Sequence, residues 1–329
     1  MAAIKDKKIE VAVIGLGVGE QHLIGFQNSR FVSNIHIFDK NKKKSLDIKN
    51  KYKNVKICNN LEQIYKNPKI NVVSIASYDQ FHYEQICNSL ENNKHVFCEK
   101  PICQNYKQLK KIESLLKQKK KLKMTTNTVL RTSKRFIEIR KKIKDGFFGD
   151  VYYLELDYNY GRLKKITDGW RGKIKNYSVV LGGGIHLIDL LIWFLNAKPK
   201  KISAFSNNFC TKKSIKRVND QVTAIIQLTN KTIVKLSCNF GCVYPHFHRM
   251  MIYGTNGTLE QSFNNEMIIK KIGQSYKVSK PKEEFQKTNK GALIKNFIDG
   301  IIYDKALIVP QNEMLDAMKF CFKINNNIT

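Results

Sequence analysis

The chain has 329 residues, 42% of them hydrophobic and 26% charged, with 18 Gly, 6 Pro and a formal charge of +31. That length exceeds what one core ordinarily serves, so two domains are expected, and the composition excludes a disordered, collagenous or low-complexity protein. No apolar run approaches the roughly 20 residues of a membrane helix, and the lysine-rich start has no apolar signal segment. The expectation is therefore a cytoplasmic chain with no membrane partner.

The charge invites a nucleic-acid reading, which the residue types argue against. Only eight of the 58 basic residues are Arg, whereas phosphate and base recognition favour the planar guanidinium. Lys is spread along the chain with abundant Asn and Ile, three residues with A/T-rich codons, so nucleotide bias accounts for the charge and no nucleic-acid partner is expected. A basic surface would still attract an anionic substrate. The eight Cys contain no C-x-x-C pair and read as reduced, mostly buried thiols, with Cys238 and Cys242 in a strand. No spacing suits a metal. The H-x-H at His246 and His248 reads as two sheet residues facing one side.

In chain order, apolar β-branched runs at 9–14, 35–38, 55–58, 70–76 and 94–98 predict strands. Helical patterns at 20–29, 46–53, 60–66, 81–92 and 104–120 alternate with them. This rhythm predicts a parallel sheet covered on both faces. After Met124 it changes. Strands are expected at 151–159, 201–207, 221–229, 232–239, 247–253 and 258–260, with helices at 133–145, 182–195 and 311–324. The fold class is thus a Rossmann α/β domain, 1–124, followed by an α+β domain, 125–329, with a large, mostly antiparallel open sheet.

Between the first strand and first helix lies Gly15-Leu16-Gly17-Val18-Gly19. In that context Gly15 makes the sharp turn, Gly17 lets a pyrophosphate approach the main chain, and Val18 leads into free helical N–H groups. Asp39 ends the second strand, where its carboxylate can accept from ribose hydroxyls and would repel a 2′-phosphate. NAD is therefore favoured over NADP, although Lys40 and Lys42 to Lys44 leave NADP possible. Glu20 holds the usual third-glycine position, with Gly19 one residue early, so the loop is expected to be one residue short.

Residues 72–103, VVSIASYDQFHYEQICNSLENNKHVFCEKPIC, are the most specific segment. A strand ends at Ser77, a helix begins near His82, and a second strand ends in Glu99-Lys100-Pro101. This resembles the Gfo/Idh/MocA oxidoreductase family, with Tyr78-Asp79 where a Pro-Asn pair is usual. The likeness continues in order through Asn127 and Arg131, Asp145-Gly146, Gly149-Asp150-Val151, Trp170-Arg171, the stretch Gly183 to Asp189 containing His186, and Gly254 to Thr258. The resemblance implies hydride transfer between a nicotinamide and a hydroxyl-bearing carbon of a sugar, polyol or nucleotide-sugar. It makes Lys100 and His186 catalytic, and Ser77, His82, Glu99 and Lys100 cofactor contacts. It also makes Asn127, Arg131, Trp170, Arg171, His186 and Asp189 substrate contacts.

The chemistry fits those residue types. An ammonium at a parallel strand end can bond the reacting oxygen, and partial burial would lower its pKa toward proton transfer. An imidazole titrates near neutrality, and Asp189 follows His186 on the same helical face. Arg131 and Arg171 read equally well as substrate anchors or as structural ion pairs. Many relatives carry an Asp where this chain has Gly182, so the expected relay is Lys100 and His186 alone. The resemblance also implies a homodimer or homotetramer. A redox-neutral NAD-dependent glycosidase and a non-catalytic NAD sensor are the alternatives.

Overall fold

The structure, a computed structural model, describes residues 8–174, 177–214, 217–284 and 289–329. The described residues form two compact units, one within Met1–Val129 and Thr288–Leu315, the other within Leu130–Lys287 and Asp316–Thr329.

The first unit begins with β1 (Ile9–Ile14), α1 (Gly19–Gln27), β2 (Val32–Phe38), α2 (Lys42–Lys51) and β3 (Val55–Ile57). It continues with α3 (Glu62–Tyr65), β4 (Ile70–Ile75), α4 (His82–Glu91), β5 (His95–Cys98), α5 (Tyr106–Gln118) and β6 (Met124–Thr126). The strands are continuous apolar runs because both faces are covered: Val11, Val13, Val72, Val73 and Phe97 are fully buried. All pairs are parallel, in the order β3-β2-β1-β4-β5-β6. Strand order reverses between β1 and β4, and at such a switch point a crevice opens beyond the strand ends.

The second unit has α6 (Lys134–Lys144), β7 (Val151–Asn159), α7 (Lys164–Thr167), a π-helical turn at Val180–Gly184, and α8 (Ile185–Leu195). Then come β8 (Pro199–Asn207), β9 (Gln221–Leu228), β10 (Ile233–Asn239), β11 (Phe247–Gly254), β12 (Gly257–Gln261), β13 (Glu266–Ile272) and β14 (Ser275–Ser279). These make one sheet, β14-β13-β12-β11-β7-β10-β9-β8. It is antiparallel except where β10 runs parallel to β7. Alternation sorts its faces: Leu154, Leu156 and Tyr158 are buried, whereas Tyr153, Glu155 and Asp157 share the other face with Lys235 and Arg249. On that other face Arg249 bonds Glu155 at 2.6 Å and Asp157 at 2.8 Å, and Lys235 lies 3.3 Å from Glu155.

The chain then supplies α9 (Ile294–Tyr303) to the first unit and ends in α10 (Gln311–Asn326). Phe297 of α9 packs on Phe97 at 5.6 Å, and Ile294 lies within 3.0 Å of where a Cβ at Gly25 would sit.

Several expectations need correction. β13, β14 and α9 were not anticipated. Cys242 lies outside β10, and the helix placed at 182–195 starts as a π turn with α geometry only from Ile185. The Cys are free thiols, six of them buried, with Cys210 exposed and Cys242 half-buried. Among the described residues no helix is long and apolar enough to cross a membrane.

Candidate active site

The glycine turn sits at the switch point of the parallel sheet. Gly15 has φ +83°, and a Cβ there would lie 2.6 Å from Ala76 O, so the turn requires glycine. A Cβ on Gly17 would meet nothing within 4 Å, which is the open cradle a pyrophosphate needs. Gly19 packs the helix onto the strand, 2.9 Å from Val13 by the same construction, and so replaces the usual third glycine from a position one residue early. Val18 occupies the N-cap of α1 without capping it, which leaves first-turn N–H groups for an anion. Asp39 braces this turn, its Oδ2 accepting from Leu16 N at 2.7 Å and its Oδ1 from Asn41 N at 2.9 Å. Each oxygen keeps a lone pair that a ribose hydroxyl can use. These features fit a dinucleotide.

Along the same sheet edge, β5 runs out into Glu99 and Lys100. Lys100 is half-buried. Glu99 is at the centre of a buried hydrogen-bonded group that sequence reasoning missed. His22 of α1 is fully buried, with Nδ1 2.9 Å from Ser74 Oγ and Nε2 3.2 Å from Glu99 Oε1. Burial alone would raise the Glu99 pKa. The hydrogen bond and charge of His22, the charge of Lys290 and the hydrogen bond of Asn127 outweigh it and hold the pKa at about 2. The signal for His22 was its place on the buried stripe Gly19, His22, Leu23 and Phe26 of α1.

Asn127, expected at the substrate, belongs to this group in the first unit. Its Nδ2 donates to Glu99 Oε1 at 2.7 Å and to Lys290 O at 2.8 Å, while its Oδ1 is a buried acceptor with no hydrogen-bond partner. Ser77 donates to Gln85 Oε1 at 2.7 Å. His82 is fully buried, its ring nitrogens 2.7 Å from Pro101 O and 3.1 Å from Ser77 O. These two residues tie the turn after β4 to the turn after β5 and so shape the site.

In the second unit, His186 lies in an aromatic cluster. Tyr158 stacks on Tyr160 at 5.7 Å and on His186 at 6.4 Å, and meets His246 at 5.2 Å and His248 at 5.3 Å edge-on. The H-x-H pair therefore does face one side, and toward His186, which the sequence did not show. Tyr158, His186 and His248 are buried, Tyr160 is half-buried, and His246 is exposed, so the cluster has an open end. Burial pushes the Tyr158 hydroxyl pKa well up, helped by Tyr160, Tyr177 and Cys238 and opposed by Arg171. Rings and neutral hydroxyls so arranged can bind the apolar and polar faces of a carbohydrate. No group of three or more His, Cys, Asp or Glu among the described residues is arranged to hold a metal.

The glycines before His186 admit protein side chains. A Cβ at Gly182 would fall on the Tyr177 hydroxyl, one at Gly183 on Tyr158, and one at Gly184 on the Cys238 thiol. Asp189 is engaged by Arg131. Both its oxygens take Arg131, whose Nε and Nη2 donate at 2.8 and 2.7 Å, with both side chains fully buried. Of the two readings open for Arg131, the structure shows the ion pair. Trp170 and Arg171 are half-buried, the guanidinium 4.3 Å over the indole. Arg171 is close enough to Tyr158 to influence its ionisation.

Comparison with known proteins bears on both units. The sequence model for the oxidoreductase family with an NAD-binding Rossmann fold, GFO/IDH/MocA, matches residues 9–127, and that for the GFO/IDH/MocA C-terminal domain matches residues 136–260. An uncharacterized oxidoreductase of Synechocystis sp. is 24% identical over 276 residues, spanning 79% of this chain and 73% of the relative. Among solved structures, the scyllo-inositol dehydrogenase of Lactobacillus casei with bound NAD(H) and scyllo-inositol superposes with a TM-score of 0.80 at 18% identity, covering 98% of this chain and 97% of that one. The UDP-N-acetylglucosamine 3-dehydrogenase of Acidithiobacillus ferrooxidans gives 0.78 at 15% identity, covering 98% of each chain.

Proposed function

The chain belongs to the Gfo/Idh/MocA oxidoreductase family, and from that premise we propose that it transfers hydride between NAD and a hydroxyl-bearing carbon of a sugar, polyol or nucleotide-sugar. The observation that carries this reading is Lys100 at the end of β5, half-buried on the sheet edge that also holds the open cradle at Gly17 and the Asp39 carboxylate. In this proposal Gly15, Gly17, Val18 and Asp39 hold the dinucleotide, and Asn127 braces Glu99 beside Lys100. NAD, when bound, supplies the hydride acceptor. Lys100 bonds the reacting oxygen and takes its proton. His186 of the second unit is the second proton-handling group, and Trp170 and Arg171 line the substrate.

Arg131 and Asp189 contribute by fixing α8 behind His186. Ser77, His82 and Glu99 hold the turn that presents Lys100. The polar open face of the eight-stranded sheet is the surface we assign to self-association as a homodimer or homotetramer, in a cytoplasmic protein.

The test is NADH fluorescence after mixing the protein and NAD with polyols, free sugars, sugar acids and nucleotide-sugars. A signal with at least one substrate is expected, lost by at least a hundredfold in Lys100→Ala with NADH binding retained. Full activity in Lys100→Ala would overturn the assignment of Lys100. Glycoside cleavage with no net NADH would overturn the dehydrogenase reading.

A further inference from the structure

Helix α1 opens at the glycine turn with its first N–H groups uncapped, and β5 leads into Glu99 and Lys100. Both belong to the first unit. Among the described residues, His22 is the one side chain of α1 that hydrogen-bonds to β4 or to the end of β5. Glu20 bonds Lys51 and Tyr52 instead, and Gln27 bonds Lys53 O.

His22 is fully buried. Its ring meets Phe97 of β5 edge-on at 5.1 Å, Nδ1 lies 2.9 Å from Ser74 Oγ on β4, and Nε2 lies 3.2 Å from Glu99 Oε1. Donor chemistry fixes the ring. The Glu99 carboxyl, with its pKa held at about 2, is ionised at neutral pH and only accepts. Nε2 therefore carries a proton and donates to it. Asn127 Nδ2, 3.3 Å from the same ring nitrogen, is also a donor and converges on the same oxygen at 2.7 Å. Ser74 Oγ serves Nδ1 in either protonation state, because a hydroxyl both donates and accepts. Ser74 is itself fully buried, so this row of Ser, His and Glu presents no nucleophile to a substrate.

The link differs in kind from the apolar packing of Leu23 and Phe26 beside it, which is non-directional. A hydrogen bond to a buried carboxylate is directional and charge-assisted, and losing it leaves the carboxylate short of a donor. His22 lies three residues into the helix from Gly19, about 4.5 Å along the axis, and Glu99 directly precedes Lys100. One hydrogen bond thus runs from the helical turn suited to a pyrophosphate to the residue beside the reacting ammonium. Hydride transfer is sensitive to such spacing, since a misplacement of about 1 Å can cost on the order of a hundredfold in rate. We propose that His22 is a positioning residue for hydride transfer, holding the turn that presents Lys100 at a fixed distance from the helix that anchors the dinucleotide. The proposal deepens, and rests on, the reading of Lys100 as the group at the reacting oxygen.

The experiment compares the parent with His22→Met and His22→Gln. The first readout needs no substrate: acetic anhydride labelling of Lys100, followed by peptide mass spectrometry, with and without saturating NADH. NADH should shield Lys100 in the parent, and the shielding should be largely lost in His22→Met although NADH affinity is retained. The second readout is turnover of whichever polyol, sugar or nucleotide-sugar the parent oxidises. Per NADH-binding site, kcat should fall about tenfold in His22→Met with KM little changed. His22→Gln, whose amide can donate to the same Glu99 oxygen, should recover most of both losses. His22→Met/Glu99→Gln leaves no buried charge and should show the same losses, which keeps the test open if the single variant does not fold. Parent-like shielding and kcat in either Met variant overturn the proposal. So does a loss carried wholly by KM or NADH affinity, or a His22→Gln as impaired as His22→Met. Absence of shielding in the parent instead removes Lys100 from the nicotinamide, and the proposal falls with that reading.

Discussion

The hydroxyl of Tyr177 occupies the space that a side chain at Gly182 would fill. The glycine run before His186 therefore serves close packing of a tyrosine against the entry to α8. Gly182→Ala forces that hydroxyl out of a buried position, and overpacking of this kind costs about 1–3 kcal/mol. Chemical denaturation should show the loss, with Tyr177→Phe in the same chain recovering some of it. Equal stability of Gly182→Ala and the parent would contradict the contact.

Arg131 and Asp189 form a fully buried two-pronged ion pair. Removing one partner leaves an uncompensated buried charge, so Arg131→Met should destabilise by about 3–5 kcal/mol. Arg131→Met/Asp189→Leu should recover most of that, since both charges are then gone. If the double variant is no better than the single one, the pair is not the source of the effect.

Glu99 has a pKa depressed from 4.5 to about 2. A depressed carboxylate stabilises the fold above its unfolded value and loses that contribution as pH falls through the folded one. The contribution is on the order of 3 kcal/mol at neutral pH, lost between about pH 5 and pH 2. Urea unfolding across that window should show a stability decline that is much shallower in Glu99→Gln. An unaltered decline in that variant would place the titration elsewhere.

Asp39 both braces the glycine turn and offers oxygens to a ribose. Asp39→Asn keeps an acceptor for Leu16 N but loses the charge. NADH should bind about tenfold more weakly, as expected for one charge-assisted hydrogen bond, and discrimination against NADPH should shrink. Fluorescence titration with both cofactors measures this. Unchanged discrimination would remove Asp39 from the ribose site.

What could be read from the sequence is what local signals build, strands of both units included. A strand, a glycine turn and a helix lie within the twenty residues from Ile9, and the E-K-P turn is contiguous. Backbone sterics and helix-end N–H groups act over that range, so the Rossmann unit, Gly15, Gly17, Asp39 and Lys100 emerged with their places. α9 was also present as a pattern, with Ile294, Phe297, Ile298 and Ile302 on one face. Its allegiance to a unit nearly two hundred residues earlier was not.

Composition, parallel-sheet rhythm and the positions of the chemical groups were therefore determined by the sequence alone. Only the tertiary structure decided their partners. It gave Asp189 to Arg131 across 58 residues, Glu99 to His22 across 77, and the space at Gly182 to Tyr177. Periodicity states which face of an element is buried. What that face meets depends on sheet order and helix packing, which join segments far apart in the chain, and it is these long-range contacts that set burial, charge pairing and the pKa of Glu99.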